Sequence, residues 1–573
     1  MPLVTQEMSW QEISAVMIKH REDSITAVQP SIPEVPAALP LNVTGLPKQL
    51  LTENTISITE QTPEILLEKL ASGALSSVDV TSAFLQRAGL ASKLTNCITE
   101  LLPERALARA KFCDEYLAQH KKPIGLLHGL PISVKEHIGM KGLDLNAGFV
   151  SWVGRVASAD ATILKLLWTA GAVFYARTTE PQALMHLETD NNIYGVTTNP
   201  YNTKLTAGGS SGGEGALLGM KGSCLGIGTD IGGSIRNPAA NNGLFGLRPT
   251  SYRLPMGGFA ATMLGAEHIV PVVGPLSTSL QGVKVFMKAL IDQKPCLYEA
   301  SLLPIPWRED SKLRRGADGK KKLRIGVLAD DGVVKPHPPI LRGMDTLVSK
   351  LRDHADVEIV EFPPYKHDEA WRIISSLYFA DNGTQELAAI NASGEPVLPL
   401  TDFILTDNPN RKELTVTELW ELTEQREGYK SAYTQHWNSI GTGLSGPGSG
   451  IDVATNAQAV AEQMVDVILT PTGPGCAAPH DCARYWGYTS QWNLLDYPSL
   501  VFPTGLQATL EDKAKAEYKP RNEQDQYNHD LCKLWTNTHH ELRTLTPCQI
   551  NPKHTSTRRY RYSLWDEDTM TRK

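Results

Sequence analysis

Lys135 lies within LPISVKEHI, residues 130–138, an apolar run that reads as a strand. An ammonium ion is expensive to bury among such neighbours, so desolvation pushes its pKa down toward that of a usable base. Farther along, Gly208-Gly209-Ser210-Ser211-Gly212-Gly213 holds two serines in a backbone free to take conformations closed to other residues. Thr229-Asp230-Ile231-Gly232-Gly233-Ser234-Ile235-Arg236 then sets a third serine behind two glycines, where successive N–H groups can converge on a developing negative charge. A serine nucleophile, a second serine relaying a proton and a lysine base together make acyl-transfer chemistry without histidine. The bland alternatives are a lysine whose head reaches water at a strand end and a solvated Gly/Ser linker. The linker fits badly, because GEGALLGM follows directly and TDIGGSIR lies nearby.

These blocks resemble the amidase signature family of serine hydrolases, since PISVKE, GGSSGG and TDIGGSIR stand in that family's order and spacing. The resemblance implies that Ser234 is the nucleophile, that Ser210 is a bridging serine preceded by a cis peptide bond, and that Lys135 is the base. It implies an oxyanion hole from the backbone amides of Ile231, Gly232 and Gly233. Ser211, Thr229, Asp230 and Arg236 are implied as supports behind them, through hydrogen bonds and an Asp–Arg pair. The implied fold is α/β, with α/β/α layers and a large mixed sheet surrounded by helices. Residues 274–279 (GPLSTS) and 483–499 (ARYWGYTSQWNLLDYPS) resemble the fungal acetamidase-like branch. That branch implies hydrolysis of a small carboxamide to a carboxylate and ammonia through an acyl-enzyme, with no cofactor and no metal. Tyr485, Trp486, Tyr488 and Trp492 are read equally as core packing and as pocket lining.

Such a site needs elements to hold it. Thr62 followed by Pro63 starts a helix whose buried face is Ile65, Leu66, Leu67 and Leu70, and Gly73 stops it. A second helix begins near Ser77, a third spans 160–170, and strands are expected at 173–177, 323–328 and 465–469. Alternation of this kind is the pattern of an α/β layered fold. At the start of the chain Ser9 and Glu12 form a capping box for a short amphipathic helix. Five prolines between 30 and 47 then forbid regular structure and predict an extended arm over the surface. The expected organisation is a helix and proline-rich arm over 1–60, a catalytic domain over 61–535, and a polar, aperiodic tail over 536–573 where the family has a closing strand and helix. The Gly/Ser-rich connection at 439–460 also looks longer than the family's.

A chain of 573 residues with Lys+Arg 55 against Asp+Glu 62 has no basic excess to neutralise a phosphate backbone, which argues against nucleic acid as a partner. Neither a signal peptide nor an apolar run of membrane-spanning length stands out. Eight scattered cysteines without a CxxC fit reduced thiols and a cytoplasmic location, where the sequons at Asn42, Asn382 and Asn391 are chance matches. The expected partner is a small-molecule amide, with no membrane partner and with a homodimer possible through the N-terminal arm. Several rivals remain. Ser210 satisfies G-x-S-x-G, but the preceding YNTKLTA is too polar for the strand that elbow needs. His480, Asp481, Cys482, His539 and His540 lack metal-ligand spacing, and GIGTDIGG misses the dinucleotide fingerprint. Within the fold, the alternatives are a transamidosome A-type subunit and an amidase-like protein impaired by its unusual C-terminus.

Overall fold

Branched and apolar runs collect into one mixed sheet of 12 strands in this computed structural model, which describes residues 8–309, 314–315, 321–440, 442, 463–515, 517–538 and 545–552. In chain order the strands are β1 (Ile98–Leu101), β2 (Pro131–Lys135), β3 (Val173–Thr178), β4 (Thr198–Asn199), β5 (Asn202–Thr206), β6 (Leu225–Asp230), β7 (Phe245–Arg248), β8 (Val272–Ser277), β9 (Arg314–Arg315), β10 (Lys321–Val327), β11 (Val357–Glu361), β12 (Val467–Pro471), β13 (Ser499–Gln507) and β14 (Leu545–Pro552). Across the sheet they run β1-β3-β2-β6-β8-β7-β13-β14-β12-β10-β11, with β9 on β10, while β4 and β5 form a separate hairpin. Helices surround this sheet, as the α/β/α expectation requires.

The neighbours of β2 explain its sequence. It is buried along its whole length between β3 and β6, both parallel to it, and a strand covered on both faces needs a near-continuous apolar run. Ser133 pairs with Gly226 and Val134 with Ile227, so Lys135 falls one step before Thr229 at the C-terminal ends of β2 and β6.

Local signals set the helices that pack here. The helix Pro63–Ser72 opens on its proline and stops at Gly73, whose φ is 74°. The helix Ser77–Thr95 starts where Ser76 Oγ accepts from the Asp79 amide at 3.0 Å, and ends at Asn96 in the left-handed region. The helix expected at 160–170 forms as Thr162–Thr169. The proline-rich arm is laid deeper than expected: Ile32 and Val43 are buried in the same apolar core as the helix Ser77–Thr95 and strand β3.

Residues 545–552 depart from the polar tail expected over 536–573. They form β14, antiparallel to β12 on one side and β13 on the other, with Ile550 opposite both Leu469 and Leu500. Two neighbouring strands facing this slot present rows of N–H and C=O groups that must be paired. Ladder bonds make no demand for apolar periodicity, which is why a polar segment can close the sheet. Residues 443–460 and 553–573 lie outside the described residues. Among the described residues no helix is long and apolar enough to cross a membrane.

Candidate active site

Lys135 is fully buried, and its Nζ lies 2.6 Å from Ser210 Oγ and 3.2 Å from Thr229 Oγ1. Burial pushes the amine down to about 7, against the opposing pull of Glu180, Asp230 and Glu214. Two of those carboxyls are themselves shifted upward by burial: Glu214 to about 8, and Glu180 well above the ordinary range with Glu136 beside it. Those upward shifts weaken the pull of both carboxyls on the lysine's charge. The peptide bond before Ser210 is cis, as expected. A side chain at Gly209 would collide with the carbonyl oxygens of His186 and Glu188, so the loop needs glycine at that position.

Ser211 and Thr229 bind the two serine loops together. The Thr229 amide donates to Ser211 Oγ at 3.3 Å, the Ser211 hydroxyl donates to the Thr229 carbonyl at 3.4 Å, and the Ser211 amide donates to the Ser234 carbonyl at 3.1 Å. Beneath the loop, Asp230 and Arg236 form a fully buried pair at 3.0 Å. Burial works against the carboxylate's charge, yet Arg236, with Arg248 and Asn493 behind it, holds Asp230 well below the usual carboxylate range. Arg236 also donates to the Thr489 carbonyl at 2.8 Å and to Asn493 Oδ1 at 2.6 Å.

The expected oxyanion donors are only partly free. The Gly233 amide is engaged, donating to Asp230 Oδ1 at 2.9 Å, and the Ile235 amide donates to the other carboxylate oxygen at 3.1 Å. At a φ of 138° the Gly233 backbone turns its N–H back onto the aspartate. Among the described residues no hydrogen bond is made by the amides of Ile231, Gly232 or Ser234, nor by the nearly buried Ser234 hydroxyl. The Ser234 amide is thus left without a partner alongside those of Ile231 and Gly232, which spacing alone does not single out.

Several contributors carried no sequence signal. Tyr378 donates its hydroxyl to the Ile231 carbonyl at 2.7 Å, and Thr489 donates to the Gly232 carbonyl at 2.6 Å. The first bond fixes the far side of the peptide unit whose Gly232 amide is free, and the second fixes that of the next unit, whose Gly233 amide is held by Asp230. Of the aromatic residues that left two readings open, Tyr488 and Trp492 are core, bonding to the carbonyls of Val334 and Tyr488. Trp486 instead packs on the loop, where a Cβ at Gly232 would come within 2.7 Å of its ring. Tyr485 donates to Asp331 and lines a separate cavity of about 110 Å³ shared with Thr472 and Cys482. His480 is held by Glu188, and the described residues contain no cluster of three or more potential metal ligands. His539 and His540 lie outside the described residues.

A family model described as Amidase matches residues 79–523. An acetamidase of Emericella nidulans is 42% identical over 492 residues, covering 84% of this chain and 85% of that protein. An acetamidase of Aspergillus oryzae is 38% identical over 524 residues, with 90% and 91% covered. Among solved structures, fatty acid amide hydrolase superposes with a TM-score of 0.85 at 33% identity, covering 96% of this chain and 93% of that one. Fold and relatives together define a hydrolase acting on amide bonds. The chain belongs to the amidase signature family, alongside fungal acetamidases.

Proposed function

We propose that the protein hydrolyses a small carboxamide to a carboxylate and ammonia through a Ser-Ser-Lys relay and an acyl-enzyme. The observation that carries this reading is the buried contact of 2.6 Å between Lys135 Nζ and Ser210 Oγ. Lys135, neutral, takes the proton of Ser210, and Ser210 takes that of Ser234 as Ser234 Oγ attacks the amide carbon. The tetrahedral oxyanion is held by the amides of Ile231 and Gly232, joined by that of Ser234, and one such donor typically contributes about 10²–10³ in rate. The Gly233 amide acts on the loop, holding it to Asp230. The leaving nitrogen receives the proton back along the relay and departs as ammonia. Water then adds to the acyl carbon with the same groups as base, and the carboxylate is released.

A short acyl group is supported by the acetamidase names of two relatives. Ile231 also packs into an apolar cluster with Tyr378 and Trp486 that suits the acyl side of a substrate. Cys97, Cys113, Cys224, Cys296, Cys482 and Cys532 are free thiols, which supports a cytoplasmic location. An ammonia-release screen over acetamide, longer aliphatic amides, aryl amides and indole-acetamide tests the reading when run beside Ser234→Ala. Release from at least one small amide by the natural protein and none from the variant is expected. Undiminished release from the variant overturns the nucleophile assignment.

A further inference from the structure

His137 stands two residues beyond Lys135, is buried, and has no task in the reaction described above. Its Nδ1 lies 2.9 Å from the Ala260 carbonyl oxygen, and its Nε2 lies 2.9 Å from Thr229 Oγ1. A carbonyl oxygen only accepts, so Nδ1 carries the ring proton. Burial, and then the neighbouring Lys135, push the imidazole down to about 3, so the ring is neutral and Nε2 is a bare lone pair. Thr229 must then donate its O–H to Nε2, and it shows only lone pairs to Lys135 Nζ at 3.2 Å. Lys135 answers with an N–H. A neutral amine has two N–H groups and one lone pair, and the lone pair is left for the O–H of Ser210 at 2.6 Å.

We propose that His137 is a positioning residue that sets the direction of this hydrogen-bond chain, holding Thr229 as an acceptor so that the lone pair of Lys135 stays on Ser210. This rests on Lys135 being the base, as proposed above. Without the imidazole, the Thr229 hydroxyl is free to donate into the same lone pair and compete with the serine proton. The other groups facing Lys135 are Glu180, Glu214 and Asp230, none of which bonds to Thr229 Oγ1.

The test follows phosphonylation of Ser234 by an alkyl fluorophosphonate, a probe that does not depend on the acyl preference. The Ser234 Oγ–P bond forms, the P–F bond breaks, fluoride leaves, and the serine proton passes through Ser210 to Lys135. Second-order rates are measured between about pH 5 and about pH 10. His137→Phe keeps an aromatic ring edge-on to Phe259, which now lies at a centroid distance of 5.6 Å. Its plateau is expected to fall about ten- to hundredfold, and its acidic limb to move to lower pH, because a hydrogen bond into the lone pair favours the neutral amine. Lost packing alone lowers the plateau and leaves the limb where it was. In a Thr229→Val background the limb shift caused by His137→Phe is expected to vanish, the signature of two residues acting through one contact. His137→Gln, whose amide oxygen can accept from Thr229, is expected to return the plateau to within about threefold of the natural protein. An unmoved limb in His137→Phe, the same shift in the Thr229→Val background, or a His137→Gln plateau no better than that of His137→Phe overturns the inference. Lys135→Met, labelled in parallel, separates the two levels. If that variant keeps the natural profile, the base assignment falls; if it loses the limb while His137→Phe keeps it, only the role of His137 falls.

Discussion

Strands β2 and β6 hold their surroundings through side chains, whereas β12, β14 and β13 are joined through their backbones. At β2 and β6 the buried polar groups are matched to particular partners: Ser133 with Glu214, Lys135 with Ser210 and Thr229, and Asp230 with Arg236, Asn493 and two amides. Each of those residues is restricted to its type, because an unmatched polar group in a dry interior is costly. At β14 the pairing register places residues 545–552 between two antiparallel neighbours, and direction and length are what the slot demands. Chemistry is written in side-chain identity, while closure of the sheet is written in backbone geometry.

The strongest way to break that contrast is to end the chain after Thr538. Removing β14 leaves the facing edges of β12 and β13 unpaired, and the chain is expected to lose its cooperative unfolding transition and become sensitive to limited proteolysis. Ser234→Ala is the counterpart in the other region: turnover is expected to fall by about 10⁴ or more with the thermal midpoint nearly unchanged. Ammonia release and calorimetry check the two halves of that statement. Gly232→Ala should cost about 10²–10³ in kcat, because its Cβ would meet Trp486 at 2.7 Å and Tyr378 at 2.8 Å and displace a free amide. Thr489→Val removes one hydroxyl bonded to the Gly232 carbonyl at 2.6 Å, and about a tenfold loss in kcat with little change in KM is expected from steady-state kinetics.

The smallest effect is a dependence on pH. Turnover should climb as pH rises through about 7, where Lys135 loses its proton. Stability carries the same sign. Between that value and the ordinary 10.5, the unfolded chain binds the proton and the folded chain does not, so this group makes the fold more stable as pH rises across the window. Lys135→Met should therefore raise the thermal midpoint by several degrees near neutral pH and by less near pH 10, as measured by calorimetry at both. An equal gain at both values would mean that the lysine is charged in the folded protein.

Much of the site was legible because its residues stand in short contiguous blocks. A lysine in an apolar strand and serines flanked by glycines are local signals, and the Asp–Arg pair came with the family resemblance; in the structure Lys135 bonds to Ser210 and Thr229, Ser211 to Thr229, and Asp230 to Arg236. Tyr378, Thr489 and Asn493 are ordinary residues on helices far along the chain, and nothing local distinguishes them. His137 sat in plain view within the same run as Lys135, yet its role depends on the Ala260 carbonyl that a distant loop brings to its ring.

The amino-acid order by itself determined the α/β class, the family and the chemical parts of the site, because residue type and short-range spacing are local properties. Only the tertiary structure decided that burial pulls the Lys135 amine down to about 7, that the Gly233 amide turns to Asp230 while its neighbours stay free, and that residues 545–552 close the sheet. A proton's affinity, the direction of an N–H and the partner of a strand all depend on which groups the folded chain brings within a few ångströms of each other.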